Sequence, residues 1–334
     1  MVTAPPTPAF PHSWPRLGMG CAPLGNIFTV YPEQQAQDTF TAAWDAGVRY
    51  YDTAPWYGHG LSEHRLGTAL HAHPRAHAFI STKVGRVYTP APRGQDTRIR
   101  WAGGLNFALH FDYSAAGFAA SYAQSQWRLG LPNIDALVIH DLDQGYQGTA
   151  FDGHLHALTG SGLAYLHGLK AAGEVSAIGM GINDLAAFTH FAPWLDVDFF
   201  LVAMPYTLLD QVALHGPMAT CLKRGIKVII GAPFASGLLT NPANPALTYN
   251  YAPASTEIRA KAIAIDVVCK AHNVPLMAAA LQFPLLHPAV VSVIPGAMSP
   301  DQVTQNATNM ALPITTDLWA TLKTKGLIDA DTPT

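Results

Sequence analysis

Lys223-Arg-Gly-Ile-Lys-Val-Ile-Ile-Gly231 contains the pattern that decides the fold. The charged pair followed by Gly225 is typical of a helix end, because glycine readily takes the left-handed conformation that caps a helix. Val228-Ile-Ile230 is a continuous apolar run, as expected of a parallel strand buried on both faces. The segment therefore predicts a helix that passes through a glycine cap directly into a buried strand.

The same order of helix end, glycine and strand recurs at Gly47 and Gly173. Eight short strands are predicted, at 17–19, 49–52, 79–83, 134–140, 177–181, 199–204, 227–231 and 290–294. The predicted helices are 34–46, 62–71, 114–129, 163–172, 185–191, 211–224, 256–271 and 301–310. Asp184 (or Asn183) and Ser299 are the N-cap candidates.

A regular alternation of strand and helix without a change of composition predicts one α/β domain, a (β/α)8 or TIM barrel over residues 1–334, with 1–14 as a flexible tail. An open doubly wound sheet would require a glycine-rich phosphate turn after the first strand. Gly18-Met-Gly20-Cys-Ala-Pro23 lacks the third glycine, so the barrel is favoured. Three longer segments, 88–112, 142–162 and 239–254, are predicted to be substrate loops.

Bulk composition excludes several classes of protein. Hydrophobic residues make up 49% of the 334 residues, and the net charge is −3 without a Lys/Arg run, which argues against nucleic-acid and anionic-membrane partners. No stretch of about 18 apolar residues occurs, and the N-terminus lacks a signal-peptide pattern, so a cytoplasmic protein is expected. The scattered Cys21, Cys221 and Cys269 are interpreted as buried structural cysteines.

Polar residues end several predicted strands, and in a barrel such ends converge on one face. Asp52, Lys83 and His140 end the second, third and fourth strands, and Tyr57 follows Asp52 in the next loop. A tyrosine with a pKa of about 10 is a poor proton shuttle at neutral pH, but an adjacent ammonium group lowers that pKa. Each residue alone has a structural interpretation. Together they predict Tyr57 as the acid–base, activated by Lys83, with Asp52 holding Lys83 and His140 bonding the reacting oxygen.

This arrangement resembles the aldo-keto reductase superfamily over residues 17–309. The resemblance implies that Asp52, Tyr57, Lys83 and His140 form a catalytic tetrad, and that hydride is exchanged with a nicotinamide cofactor. The motifs that carry it are Asp52-Thr-Ala-x-x-Tyr-Gly58, Ser81-Thr-Lys83, Arg128-Leu-Gly-Leu-Pro-Asn-Ile-Asp135, His140-Asp141, Ile178-Gly-x-Gly181 with Asn183, and Ile294-Pro-Gly-Ala297 with Asn306.

The resemblance also implies a cofactor site, with departures from the usual family pattern. Where the family usually has a Ser-Asn pair, this sequence has only Asn183. Ala203 replaces the usual glutamine, and Gly231 replaces the usual aromatic residue that stacks on the nicotinamide. Segment 233–239 is expected to wrap the pyrophosphate through backbone N–H groups. The implied cofactor contacts are Gly20, Asn183, Gly231, Pro233, Phe234, Ser236, Gly237, Leu239, Pro295, Gly296, Gln302, Gln305 and Asn306.

The residues after the last strand bear on the type of cofactor. Relatives that use NADPH place basic side chains there to bind the 2′-phosphate. Pro295-Gly-Ala-Met-Ser-Pro-Asp-Gln302 contains no Lys or Arg, so that phosphate would have no cationic partner. We therefore expect NAD, and with it oxidation of the substrate, because cytoplasmic NAD is mostly oxidised.

The departures at Gly181, Asn183, Ala203 and Gly231, with Phe111-Asp-Tyr-Ser114, resemble one branch of the superfamily. That branch holds NAD-dependent aldose 1-dehydrogenases, acting on L-fucose or D-threo-aldoses, and pyridoxal 4-dehydrogenase. Both oxidise a cyclic hemiacetal to a lactone. The expected substrate is an aldose such as L-fucose, L-galactose or D-arabinose, and the alternatives are pyridoxal or a general aldehyde or ketone. Candidate substrate contacts are Trp56, Trp101, Asn106, His110, Asp141 and Tyr146.

Other classes of function are weaker interpretations. The pairs His71/His73 and His154/His156 lack the HExxH spacing of a metal hydrolase, so no metal is expected. No GxSxG motif for a serine hydrolase occurs. The same barrel serves as a partner protein in potassium-channel β subunits, and that binding role stays open beside the enzymatic one.

Overall fold

The computed structural model describes residues 14–27, 29–250 and 252–334. Eight strands form one sheet, and their order in the sheet follows their order in the chain. The strands are β1 (Met19–Gly20), β2 (Tyr50–Asp52), β3 (Phe79–Val84), β4 (Ala136–Ile139), β5 (Ala177–Ile182), β6 (Phe199–Ala203), β7 (Lys227–Gly231) and β8 (Val290–Ile294).

Helices separate the successive strands. The topology is that of a (β/α)8 barrel, so the predicted fold class is confirmed. The longer helices are Glu33–Asp45, Leu61–Leu70, Ala115–Leu129, Phe151–Ala157, Leu163–Ala171, Leu185–Phe191, Ala219–Arg224, Thr256–Ala271, Leu276–Gln282, Pro300–Ala311 and Thr316–Thr324.

Some element bounds agree with the predictions and others do not. The strands Lys227–Gly231 and Val290–Ile294 and the helix Thr256–Ala271 have the predicted ends. Only Ala219–Arg224 of the predicted helix 211–224 is α-helical, and a π-helical turn that contains Pro217 precedes it. Proline donates no backbone hydrogen bond, which explains the irregular turn.

The predicted loops contain regular structure. Segment 88–112 includes most of an antiparallel strand pair, Arg86–Pro90 with Phe107–Phe111, and an irregular connection over 91–106. Segment 142–162 is mostly helical, with Gln144–Gln147 and Phe151–Ala157. Helix Leu276–Gln282 was not predicted, because its continuous apolar sequence lacks the period of an amphipathic helix.

The chain divides into two compact units, of which the first holds the described residues up to Gly181, with Val197–Phe199 and Gly296–Val303. In this unit β2, β3 and β4 pair in parallel, with Asp52 beside Ser81 and Lys83 beside Val138. Trp14 is buried edge-on against Tyr50, Phe79 and Phe199. Trp14, the last residue of the predicted tail 1–14, is therefore packed, while residues 1–13 lie outside the described residues and the tail stays a prediction.

The second unit holds Ile182–Asp196, Phe200–Pro295 and Thr304–Thr334. Its strands β7 and β8 are parallel, with Ile230 beside Val293. Gly225 caps the preceding helix at φ +73°, and Asp184 caps helix Leu185–Phe191 by accepting the Ala187 N–H at 2.8 Å. Both caps are as predicted. The single-domain bounds 1–334 stay a prediction.

Within the described ranges, no individual helix combines the length and apolar character needed to cross a membrane. The helix Thr256–Ala271 and the segment Leu276–Leu286 meet the length and composition criteria only as a pair, and they are bent by 102° relative to each other.

Candidate active site

A buried ion pair lies at the ends of β2 and β3. Lys83 Nζ donates to Asp52 Oδ2 at 2.7 Å and to the Thr53 carbonyl at 2.8 Å. The Ser81 hydroxyl donates to Asp52 Oδ1 at 2.6 Å, so both oxygens of this carboxylate are bonded. Both charged side chains are only 2% exposed, so solvent screens the pair little. The pair and the bond to Thr53 hold the ammonium group in one position.

Tyr57 lies over this ammonium group. Lys83 Nζ is 4.6 Å from the centre of the Tyr57 ring, and the ring itself is half-buried. The Tyr57 backbone is held by hydrogen bonds to Ala54 and Ser62 at 3.1 Å each. A Cβ atom at Gly25 would come within 2.5 Å of the Tyr57 carbonyl carbon, so only glycine allows this close approach.

His140 follows β4 directly and completes the group of four. Its ring lies edge-on to the Tyr57 ring, with 6.2 Å between the ring centres. The His140 N–H donates to the Val84 carbonyl at 3.0 Å, and the Tyr113 hydroxyl donates to the His140 carbonyl at 2.7 Å. These bonds fix the backbone, so the imidazole keeps its position beside the phenol.

Arg86, which the sequence analysis missed, lies against His140. Its Nη1 is 2.8 Å from His140 Nδ1, and its Nη2 donates to Asp141 Oδ2 at 2.6 Å. Burial, reinforced by the nearby Arg86 and Lys83 cations, lowers the pKa of His140 well below its usual value. His140 is therefore a neutral imidazole at physiological pH, able to orient an oxygen atom by hydrogen bonding.

Four of the six candidate substrate residues lie around this group. Trp101 packs on Tyr57 and on Trp56, with ring centres 5.8 and 5.9 Å apart. Asp141 pairs with Arg86, whose guanidinium carbon lies 5.6 Å from the Tyr146 ring centre.

The remaining two candidates, Asn106 and His110, are exposed on the hairpin. The Asn106 amide bonds within its own loop, accepting the Thr97 N–H at 2.9 Å and donating to the Gln95 carbonyl at 2.7 Å. The structure does not place either residue among the described contacts of the tetrad.

A model of the aldo/keto reductase family matches residues 16–326. A pyridoxal 4-dehydrogenase from Microbacterium luteolum is 39% identical over 322 residues, covering 93% of this chain and 94% of the relative. A D-threo-aldose 1-dehydrogenase from a Pseudomonas species is 38% identical over 332 residues, covering 98% of each protein.

The chain belongs to the aldo/keto reductase family. The predicted resemblance is thus confirmed, and the chain is an oxidoreductase of this family. A solved glycerol dehydrogenase from Gluconobacter oxydans has a TM-score of 0.74 at 20% identity, over 98% of this chain and 95% of that one. At that identity the likeness bears on the fold alone.

Aldo/keto reductases use nicotinamide cofactors. Three of the predicted cofactor contacts, Gly20, Gly296 and Gln302, belong to the first unit. Gly20 of β1 forms a parallel bridge with Gly296, where a Cβ atom would come within 2.7 Å of the Pro23 ring. The Gln302 side chain accepts the Met298 N–H at 2.8 Å, which closes the turn 298–302.

The second unit contains a buried acceptor that fits such a cofactor. Asn306 is 5% exposed, and its side-chain oxygen has no hydrogen-bond partner among the described residues. Leaving a buried acceptor unpaired is costly, and a ligand that brings an N–H donor, as the adenine amino group does, would satisfy it. Gln305, one residue earlier on the same helix, is exposed.

Segment 232–240 has an unusual backbone. Ala232, Ala235 and Ser236 have φ of +48°, +50° and +58°. The N–H groups of Gly237 and Leu239 already donate to the Phe234 carbonyl at 3.0 and 3.1 Å. A pyrophosphate cradle at this segment stays a prediction, and in this conformation those two N–H groups are engaged within the loop. The roles of Asn183, Gly231, Pro233 and Pro295 also stay predictions.

Two alternative chemistries gain no support from the described residues. Burial raises the pKa of the Cys221 and Cys269 thiols to about 12, and all three cysteines are buried and free, so none is a ready nucleophile. His215, Asp329 and Asp331 bring three potential metal-ligand atoms within 4.8 Å of one another, but His215 and Asp331 are exposed. The absence of a metal stays an expectation.

Proposed function

We propose that this protein is an NAD-dependent dehydrogenase that oxidises the C1 hydroxyl of a cyclic hemiacetal, an aldose such as L-fucose, L-galactose or D-arabinose, to the lactone. The observation that carries the proposal is the Lys83–Asp52 ion pair at 2.7 Å with the Tyr57 ring 4.6 Å above the ammonium nitrogen. A cation held there stabilises a phenolate, which is the form of Tyr57 that takes a proton.

The Tyr57 oxygen takes the proton of the C1 hydroxyl, and the C1–H bond breaks as the C1=O bond of the lactone forms. The bound nicotinamide supplies the acceptor for the hydride. Neutral His140 donates a hydrogen bond to the same oxygen and orients it. Asp52 keeps Lys83 beside the phenol throughout.

The side chains around Tyr57 support a polyhydroxylated substrate. Trp101 is 5% exposed, and its indole N–H has no hydrogen-bond partner among the described residues. An unpaired buried donor costs free energy, and a hydrogen bond to an acceptor such as a sugar hydroxyl oxygen would remove that cost. The half-buried Trp56 beside Trp101 carries an aromatic ring of the kind that sugar rings stack on. Both residues are therefore proposed substrate contacts.

NAD is the proposed cofactor because segment 295–302 carries no Lys or Arg to bind a 2′-phosphate. Its Gln302 amide oxygen is engaged with the Met298 N–H, and Asp301 adds a negative charge at the start of helix Pro300–Ala311. The 2′-phosphate of NADP, bound at this segment, would face the Asp301 carboxylate and no cationic side chain of the segment.

Pyridoxal is the second candidate substrate, and it is favoured by the relative that is 39% identical over 93% of the chain. Its hemiacetal offers the same reacting group, so the tetrad would act identically. The aromatic rings of Trp56, Trp101 and Tyr146 would then stack on the pyridine ring instead of a sugar.

A panel of substrates tests the proposal. NADH formation is followed with L-fucose, L-galactose, D-arabinose and pyridoxal, each with NAD and with NADP. Turnover of an aldose with NAD, and formation of the corresponding lactone, supports the proposed reaction. Turnover of pyridoxal alone transfers the assignment to the second candidate. No turnover with any of the four hemiacetals would overturn the proposal.

A further inference from the structure

We propose that Arg86 is a positioning residue for this reaction: its guanidinium group holds His140 as the neutral tautomer with hydrogen on Nε2. His140 then serves only to orient the substrate oxygen, and Tyr57 alone transfers the proton. The role in catalysis rests on the proposed function, but the tautomer can be measured without any substrate.

The hydrogen-bond geometry leads to one tautomer. The guanidinium group of arginine has only N–H donors and no acceptor. Arg86 Nη1 lies 2.8 Å from His140 Nδ1, so Nδ1 must accept this bond and carries no hydrogen. A neutral imidazole has a single N–H, which is consequently on Nε2.

Charged groups on several elements face His140. Arg86 comes from the hairpin strand Arg86–Pro90, Lys83 from β3, Asp141 from the residue that follows His140, and Tyr57 from the loop after β2. Asp141 Oδ2 is 3.5 Å from His140 Nε2 but only 2.6 Å from Arg86 Nη2. The Asp141 carboxylate thus pairs more closely with the Arg86 guanidinium group than with His140. The Arg86 and Lys83 cations disfavour a positively charged His140 ring.

Aromatic rings hold the guanidinium group in this orientation. Its central carbon lies 4.8 Å from the ring centres of both Trp56 and Phe111, and the Arg86 side chain is 2% exposed. Arginine stacks on aromatic rings and presents a planar fork, so it contacts His140 and Asp141 at the same time. A lysine would keep the charge but lose the fork.

The structural test is nitrogen-15 NMR of histidine-labelled protein without substrate, with the His140 signals assigned through His140→Asn. We expect His140 to show a hydrogen on Nε2, none on Nδ1, and no titration from about pH 6 to about pH 8. In the charge-balanced variant Arg86→Met/Asp141→Asn, we expect a mixture of tautomers or a titration inside that range. A hydrogen on Nδ1 in the unmodified protein would overturn the inference, as would unchanged signals in the variant.

The kinetic test compares two variants with a matched control. Arg86→Met/Asp141→Asn should lower kcat on the order of 10²-fold, because the substrate oxygen is no longer oriented. It should also add an ionisation to the pH profile of kcat/KM. Arg86→Lys should recover part of kcat without restoring the single tautomer. Unchanged kcat and pH profile in both would contradict the positioning role.

The matched control is Arg128→Met/Glu63→Gln, which removes another buried ion pair, 2.6 Å long, from the same unit. Arg128 contacts Glu63, Ser125 and the Tyr88 ring. This control should leave the His140 signals and pH profile unchanged, and a control that changes them equally would assign the effect to lost stability. The predicted tautomer without turnover of any hemiacetal would overturn the proposed function alone, whereas turnover with a hydrogen on Nδ1 would overturn only this inference.

Discussion

At the scale of the residue, the proposed chemistry depends on one phenol beside one ammonium group. Lys83 bonds Asp52 at 2.7 Å and the Thr53 carbonyl at 2.8 Å, which keeps its charge next to the Tyr57 ring. Neither Asp52 nor His140 replaces the phenol oxygen as a base, since Asp52 is bonded on both oxygens and the lowered pKa of His140 makes its imidazole a weak base. Removal of that oxygen should therefore abolish proton transfer while leaving the site intact.

The variant Tyr57→Phe tests this expectation. We expect kcat to fall by roughly 10²- to 10⁴-fold, which is the usual contribution of a positioned acid–base, while NAD binding is retained. Steady-state kinetics and a fluorescence titration with NAD measure the two quantities. Tyr165→Phe, on the helix Leu163–Ala171, is the control and should keep normal turnover. Full activity of Tyr57→Phe would refute the assignment of the acid–base.

At the scale of the element, helix Pro300–Ala311 bears on the choice of cofactor. Its first turn contains Asp301 and no basic residue, and Gln302 binds back to the Met298 N–H. A helix N-terminus favours anions, so what the segment lacks is a side-chain cation to pair with a phosphate.

Gln302→Arg should supply that cation. We expect the ratio of kcat/KM with NADP to that with NAD to rise by about tenfold, equivalent to about 1.4 kcal/mol from one charge-assisted contact. Initial rates with both cofactors and the best hemiacetal provide the ratio. Gln302→Glu, which changes the charge in the opposite sense, should not raise it. No change in the ratio for Gln302→Arg would show that the 2′-position lies elsewhere.

At the scale of the whole molecule, several buried imidazoles link stability to pH. Burial lowers the pKa of His140 strongly, and it also lowers the pKa of His59 and of His287. In the unfolded chain a histidine has a pKa of about 6.5, so below that pH the unfolded state binds protons that the folded state does not. The free energy of unfolding must therefore fall as the pH drops below about 6.5.

The variant His140→Asn should remove the contribution of one proton to the pH dependence of the free energy of unfolding. Between about pH 5 and about pH 6, the free energy of unfolding of the variant should fall less steeply than that of the unmodified protein, by about 1.4 kcal/mol per pH unit. Urea unfolding at several pH values measures both slopes. His110→Asn, at an exposed position, is the control. Parallel slopes for His140→Asn and the unmodified protein would mean that His140 is protonated in the folded state.

The bounds of individual elements show which parts of the fold can be predicted from the local sequence. Strand Lys227–Gly231 follows a capping glycine and is apolar, so both of its ends were predicted. Helix Leu276–Gln282 has buried residues on all sides, and a continuous apolar run does not distinguish a helix from a strand. The hairpin Arg86–Pro90 with Phe107–Phe111 joins segments that are far apart in sequence, and no short turn motif connects them.

The sequence by itself determined the fold class, and it predicted which four residues form the proposed tetrad. Strand ends are readable from local apolar runs, and a barrel brings the ends that carry Asp52, Lys83 and His140 to one face. Only the tertiary structure decided the contact between Arg86 and His140, because the two residues are 54 positions apart and the hairpin sets their distance. Local composition specifies where a strand stops, whereas a contact between distant side chains depends on how the connecting segments fold.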